Sequence, residues 1–508
     1  MIRRLNACVA ALVVSTSIGT AAFSQDEDVW ALIEQPTAEP QASLTGDFQE
    51  RSTMDLVADD AYEDFATTRA LLYARFNYRA SDEVSVVLSG LGDYIFRINS
   101  EGRENGALYE ARVEEFYAAL HRGRLDVRLG QQLVTWGKTD VISPTDRVNA
   151  QDYRHIIDTE LGHVKIPALM AKADYYPEPF HLEAVFLPFA QPARLDLIDG
   201  DWAVFGNRVP VTDATGSFDD TERGRRAVRL LDRWFPDWED NLEEALSDDR
   251  LNAFGPPPVE QDLEHWETGA RAGAKFAGVD ASLSYLYAFG DIPTVYLNPT
   301  VRKLAIAAIE TDDAAALPPV SDPDELFPVV DVRYERTHQF GADFEANLGP
   351  SVLRAEGSYT YPQRLYTDEL EVVERPMATY TAGADYVLPF ETTFNLQFLR
   401  SETLGWNDRL LTDRAYTFLI TYLQSSFLEG RMEIYGLLLY NAGAWSMDGW
   451  RRGDIFGEDF QTTGRVSYDV VPPLEIGAGV IAFGGPKGSL LALARERNFA
   501  YLDLKYSF

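Results

Sequence analysis

The chain has 508 residues, a formal net charge of −35 and 12% aromatic residues. Such an acidic chain repels nucleic acid, which removes that class of partner. Its single cysteine, Cys8, lies at the extreme N-terminus, so disulfides, thiol catalysis and cysteine-ligated metals are excluded from everything downstream.

In chain order, Arg3 and Arg4 precede a mostly apolar run of small residues, Ala7 to Ala22, and Ala22-Phe23-Ser24 fits a small-x-small cleavage site. The expectation is a signal peptide over 1–24 and a short periplasmic segment over 25–43. The run is too short, and too interrupted by Ser15, Thr16, Ser17 and Thr20, to read as a membrane anchor. No later stretch is long and uncharged enough for a membrane helix. An exported chain of this kind is either a large periplasmic protein or a barrel in the outer membrane.

The strand pattern favours the barrel. A barrel strand needs about 9–11 residues with apolar side chains at alternate positions. Leu72, Ala74, Phe76 and Tyr78 alternate with Tyr73, Arg75, Asn77 and Arg79. Phe340, Ala342, Phe344 and Ala346 alternate with Gly341, Asp343, Glu345 and Asn347. Period two is a strand signature, since a helix would scatter these residues around its axis. Eighteen strands are expected, near 44–54, 68–80, 83–97, 107–121, 124–135, 164–175, 180–188, 265–277, 279–290, 331–347, 350–362, 376–388, 391–402, 412–424, 428–441, 459–471, 474–484 and 497–508. The first and the one near 459–471 have the weakest pattern, and sixteen strands is the alternative count. The fold class is therefore all-β, a transmembrane antiparallel β-barrel over 44–508.

The gaps alternate between short and long. Ser81-Asp82, Arg122-Gly123, Gly278, Leu348-Gly349, Pro389-Phe390, Ser426-Phe427 and Pro472-Pro473 mark tight turns. Between them fall long connections, notably 137–163, 189–264 and 291–330. Short periplasmic turns and long extracellular loops are the expected asymmetry of a barrel. Helical insertions are expected in these loops. Ala227, Leu230, Leu231 and Trp234 share one helical face, residues 301–309 suggest a second helix, and Tyr153, Ile156, Ile157 and Leu161 a third.

Wall positions of the opposite parity carry both signs. Arg75, Arg128, Glu183, Arg271, Asp343, Arg354, Glu356, Arg431 and Glu433 are candidate lumen charges. They suit cross-strand ion pairs that stiffen the wall, or a charge-graded pore. At the C-terminus Ala500, Leu502, Leu504, Tyr506 and Phe508 form one apolar face. Leu504, Tyr506 and the terminal Phe508 resemble the recognition signal of the barrel-assembly machinery, which makes that machinery an expected partner. The other expected surroundings are outer-membrane lipid and lipopolysaccharide.

Residues Leu129 to Met170 read LGQQLVTWGKTDVISPTDRVNAQDYRHIIDTELGHVKIPALM. This stretch resembles a broad proteobacterial family of porin-like outer-membrane proteins of unknown function, through Gly130, Gln132, Trp136, Gly137, Lys138, Asp140, Asp146, Asn149, Asp152, Arg154, Ile166 and Pro167. Ala150 stands where the family usually has proline. The resemblance implies an outer-membrane barrel and traffic in lipids or hydrophobic compounds. On parity Trp136 faces the lumen near the outer rim, and Gly137 lets the chain turn inward. Lys138, Asp140, Asp146 and Arg154 are then available to pair with wall charges, and loop 137–163 is expected to fold into the mouth.

The leading functional reading is a channel for small or amphipathic solutes, partly occluded by inward-folded loops. The alternative is a plugged receptor or docking component of an envelope transport system, with a periplasmic transport partner. An enzyme is disfavoured. Among His121, His155, His163, His181, His265 and His338 no serine nucleophile motif or metal-spaced pair is evident, so no catalytic residue, metal or cofactor is expected.

Overall fold

A computed structural model describes residues 41–56, 65–99, 106–155, 163–194, 263–310, 330–443, 459–485 and 498–508. The signal-peptide reading, most of 25–43, the helix expected around 227–234 and most of that expected over 153–161 lie outside these residues.

Chains that alternate apolar and polar residues form strands with one face for each environment. The strands are β1 (Gln41–Asp55), β2 (Phe65–Arg79), β3 (Val84–Asn99), β4 (Gly106–Arg122), β5 (Leu125–Gln132), β6 (Ala168–Tyr175), β7 (Phe180–Leu187), β8 (Glu267–Phe276), β9 (Val279–Phe289), β10 (Thr294–Leu297), β11 (Val330–Arg333), β12 (Arg336–Leu348), β13 (Ser351–Tyr366), β14 (Val372–Leu388), β15 (Thr392–Thr403), β16 (Ala415–Phe427), β17 (Met432–Asn441), β18 (Asp459–Val471), β19 (Leu474–Gly484) and β20 (Phe499–Ser507). All but β10 and β11 belong to one antiparallel sheet of eighteen strands, in which β9 pairs with β12 and β1 pairs with both β2 and β20. The sheet is closed, so no edge strand is left without a partner. At the seam Gly46 and Phe508 exchange two backbone hydrogen bonds of 2.8 Å each.

Large apolar side chains point out of this cylinder. Leu44, Leu72, Phe116, Leu129, Leu283, Phe340, Leu396 and Leu502 are all exposed, while their neighbours in sequence face the lumen. Water penalises such a band, whereas hydrocarbon does not, and a closed barrel satisfies every backbone group at membrane depth. The protein is a transmembrane β-barrel.

The connections sort by end. Those between β2 and β3, β4 and β5, β6 and β7, β8 and β9, β12 and β13, β14 and β15, β16 and β17, and β18 and β19 have four residues or fewer, and all lie at the end that carries Phe508. At the other end connections run from five residues (367–371) to the whole stretch 188–266.

Three details depart from the sequence reading. The strand expected over 331–347 is split: β11 turns aside to pair with β10 in a separate two-stranded sheet, and β12 starts at Arg336. Periodicity reports a pleat but not its partner. Strands β5 and β6 have only eight residues each, shorter than the expected 124–135 and 164–175, because the chain leaves the wall at Leu133 and rejoins it at Ala168. Arg431 is not on the lumen wall. It lies in the exposed turn before β17, where its guanidinium donates to the carbonyls of Asp469 and Val470. Helix α1 (Pro299–Glu310) begins after Asn298, whose side chain caps it by accepting from the Thr300 amide at 2.9 Å.

Candidate functional site

The segment between β5 and β6 folds inward and is fixed at its base, middle and tip. The base is a set of buried polar groups that replace the lost strand ladder. The Asn149 carbonyl oxygen accepts from the Val134 amide at 2.8 Å, and its amide donates to the carbonyls of Gln132 at 3.2 Å and Ile166 at 3.0 Å. Asp146 accepts from the Trp136 amide at 3.1 Å and pairs with Lys165 at 2.5 Å.

Trp136 is 1% exposed and packs with Val134, Val148, Met170, Val185, Leu187 and Leu286. Its indole Nε1 donates to Glu183 on β7 at 2.9 Å. A Cβ at Gly269 would stand 2.7 Å from the indole, so β8 admits the ring only because glycine is there. Burying a tryptophan demands a partner for its N–H, and Glu183 supplies it.

The middle is held by Glu356 of β13. Gly137 takes φ +95°, and a Cβ there would collide with Ser143 Oγ at 2.1 Å and with the Glu356 carboxylate. This glycine therefore allows both the turn and the close approach. The Glu356 carboxylate accepts from the amides of Lys138 and Thr139, and from the hydroxyls of Thr139 at 2.9 Å, Ser143 at 2.7 Å and Thr145 at 3.0 Å. Lys138 reaches past it to Asp280 at 2.9 Å, and Gln339 donates to the Pro144 carbonyl at 2.6 Å.

The tip reaches farther round the wall. Asp140 pairs with Arg354 at 3.1 Å. Ile142 packs against Leu399 of β15, Tyr416, Phe418 and Ile420 of β16, and Leu439 of β17, with Val141 and Leu437 alongside. The Gln397 amide donates to the Ile142 carbonyl at 3.2 Å. From Trp136 to Ile142 the loop thus meets β7, β8, β9, β12, β13, β15, β16 and β17 in succession. It lines one side of the lumen.

The rest of the lumen is bounded by β18 to β20 and β1 to β4. Its charges are clamped in pairs: Arg51 with Asp503 at 2.7 Å, Arg69 with Asp93 at 2.8 Å, Arg75 with Glu115 at 2.6 Å and Arg465 with Glu475 at 2.6 Å. On the short-turn side a cavity of about 1450 Å³ opens, with Arg75, Arg79, Asp126, Arg128 and Tyr117 among its lining residues.

The candidate residues fall into three groups. Trp136, Gly137, Lys138, Asp140, Asp146 and Asn149 belong to the folded loop, together with Glu183, Asp343, Arg354 and Glu356 from the wall; Arg271 joins them through Asp343, at 2.9 Å. Asp152 and Arg154 pair with each other at 2.5 Å and stand apart, near Glu110 at the long-loop end of β4. Nearby, burial pushes the His163 imidazole down to about 4. Glu433 stands away from the loop and accepts from Gln424 at 2.8 Å, whereas Arg75 and Arg128 lie on the wall beside its base, Arg75 paired with Glu115, which also accepts from the Leu133 amide at 3.4 Å, and Arg128 lining a pocket with Leu133, Val134 and Thr135. Sequence reasoning missed Thr139, Ser143, Thr145, Ile142 and Gln397. The Ser143-Pro144-Thr145 run is a polar turn signal, but nothing in it names Glu356, more than two hundred residues away.

One cluster also escaped the spacing search. Asp174, His181 and Glu183 place ligand atoms within 4.8 Å of one another because β6 and β7 are paired. Lys172 already supplies the cation there, at 2.7 Å from Asp174 and 3.4 Å from Glu183.

A family model described as protein of unknown function (DUF1302) matches residues 35–426. No curated protein matches the sequence. Among solved structures, the chain is similar to Acinetobacter baumannii OccAB1, with 10% identity over 94% of this chain and 99% of that chain and a TM-score of 0.50. It is also similar to Acinetobacter baumannii OccAB4, with 7% identity over 93% and 99% and a TM-score of 0.47. A third is Pseudomonas aeruginosa OpdK with vanillate, with 10% identity over 92% and 98% and a TM-score of 0.44. The likeness is one of fold.

Proposed function

The chain belongs to the family described as protein of unknown function DUF1302, and from that premise we propose that it is an outer-membrane channel for small amphipathic or hydrophobic solutes, narrowed by its own inward loop. The observation that carries this reading is the course of residues 133–149, which lie against the inner wall and are bound to it by Glu356. Non-helical backbone at membrane depth is tolerated only inside protein or a wet lumen, and here the wall supplies donors and acceptors for it.

The apolar element of the proposal rests on the wall itself. The lumen of a barrel of this size is ordinarily polar. Here, among its apolar clusters, one surrounds Trp136 and one surrounds Ile142. Both adjoin charged groups, which suits solutes with an apolar body and a polar handle.

The test is single-channel conductance in planar bilayers, comparing wild type with a variant lacking 138–146. The deletion is expected to raise conductance. Equal conductance from two folded barrels would sink the constriction reading.

A further inference from the structure

We propose that the apolar socket filled by Ile142 is a binding site for a neutral solute that combines a branched aliphatic group with a carbonyl acceptor, and that such a solute enters by displacing the loop tip. The proposal deepens the channel reading and rests on it.

The socket is a built feature of the wall. Leu399, Phe418 and Ile420 are all fully buried beneath the tip; Leu399 of β15 lies directly across from Phe418 of β16, and Ile420 is the next residue of β16 on the same face. Without the tip they would present a continuous apolar surface to water, which is costly in proportion to its area. The socket therefore favours an occupant at all times.

The occupant present shows what the site selects. Ile142 contributes a branched aliphatic side chain to the socket and a carbonyl to Gln397. Gln397 is 1% exposed, and its amide also donates to Thr381 Oγ1 at 2.9 Å. If the tip leaves, this buried donor loses one acceptor, a penalty that a bare hydrocarbon cannot relieve. A solute that brings both groups replaces both interactions.

Charge sets the third condition. When the tip leaves and takes Asp140 with it, Arg354 still faces Glu345 and Asp385 of the wall, two carboxylates against one guanidinium. An anionic handle would add a like charge, so a neutral acceptor is favoured.

The tip proper is 140–142: Glu356 holds Lys138, Thr139, Ser143 and Thr145 on either side of it to the wall, and its apolar contacts with the socket are made by Val141 and Ile142 alone. A ligand that binds only the displaced state shifts the population toward that state.

The experiment uses Val141→Cys in a Cys8→Ser background, leaving Ile142 in place and the variant with one thiol. The readout is the rate of modification by a water-soluble maleimide, with the purified barrel in detergent. The probe is N-acetyl-leucine amide; N-acetyl-alanine amide tests the aliphatic group and N-acetyl-leucine the charge. The leucine amide is expected to raise the rate saturably, by about fivefold or more if it binds the displaced state selectively, and the other two to do much less. Adding Leu399→Asn should abolish the response. No response to the leucine amide up to its solubility limit, or equal responses to all three compounds, would overturn the proposal. Conductance of the 138–146 deletion is read independently, so the channel reading can survive that failure.

Discussion

Glu356 is the residue on which the loop depends most. One buried carboxylate accepts five hydrogen bonds from Lys138, Thr139, Ser143 and Thr145. Hydrogen bonds to a charged group contribute about 1.5–3 kcal/mol each, and they are not additive when they share one acceptor. Glu356→Ala therefore removes several kcal/mol of seating and leaves buried donors without a partner. Its single-channel conductance should approach that of the loop deletion. Glu356→Gln retains a carbonyl acceptor and should fall between the two. Conductance unchanged from wild type in a folded Glu356→Ala barrel would show that the loop is held by its base alone. The base is strong, with Asn149 and the Asp146–Lys165 pair replacing the ladder that β5 and β6 lose above Gln132.

At the scale of elements, the seam between β1 and β20 is the closure on which the barrel depends. Phe508 lies over Gly46, where an added Cβ would stand 2.6 Å from the ring and 2.4 Å from the Tyr73 carbonyl. The glycine is thus the receptacle for the Phe508 ring. Gly46→Leu should expel that ring and strain β1 against β2, a cost of about 1–3 kcal/mol for overpacking of this kind. The expected result is less heat-modifiable barrel in the outer membrane, with Gly46→Ala milder and deletion of Phe508 similarly impaired. Wild-type levels for both Gly46→Leu and the deletion would mean that the seam closes without this contact. The short strands β5, β6 and β7 follow the same logic of pairing. Gly130, at φ +137°, has no room for a Cβ beside the Phe116 carbonyl, and from there the chain can leave the wall.

For the whole molecule, the consequence of alternating connections is a fixed orientation. All the tight turns share the end that carries Phe508, and the long stretches 188–266 and 290–335 share the other. If the C-terminus is periplasmic, protease added to intact cells should cut within 189–264 and 291–330 and spare Pro389-Phe390. Cleavage of the long stretches only after lysis would reverse the orientation. The ion pairs of the open side, such as Arg51–Asp503 between β1 and β20, tie distant parts of the sequence across the seam. They stiffen the wall on a side where the described residues form small apolar clusters, Leu71 with Leu91 and Val87 with Tyr117 and Ala119.

Strand number, strand parity and the sorting of connections were legible in the sequence because they depend on period two and on turn residues, both local properties. The outward face of Leu502, Leu504 and Tyr506, and the inward face of Asp343 and Glu356, follow from that parity alone. Local pattern could not place Val330–Arg333 in a separate two-stranded sheet, because alternation describes a pleat and is silent about its partner. Nor could it keep Arg431 off the wall, since a tight turn moves a residue out of the parity of the strand that follows. The loop was recognisable as a candidate from Trp136 and Gly137. Pairing of Lys138 and Asp140 with wall charges was expected from their sign, but the rest of the attachment was not, because Glu356, Gln397 and the Ile142 socket are brought to the loop only by closure of the barrel. Closure sets residues more than two hundred positions apart within hydrogen-bonding distance, and no spacing in the chain encodes which of them will meet.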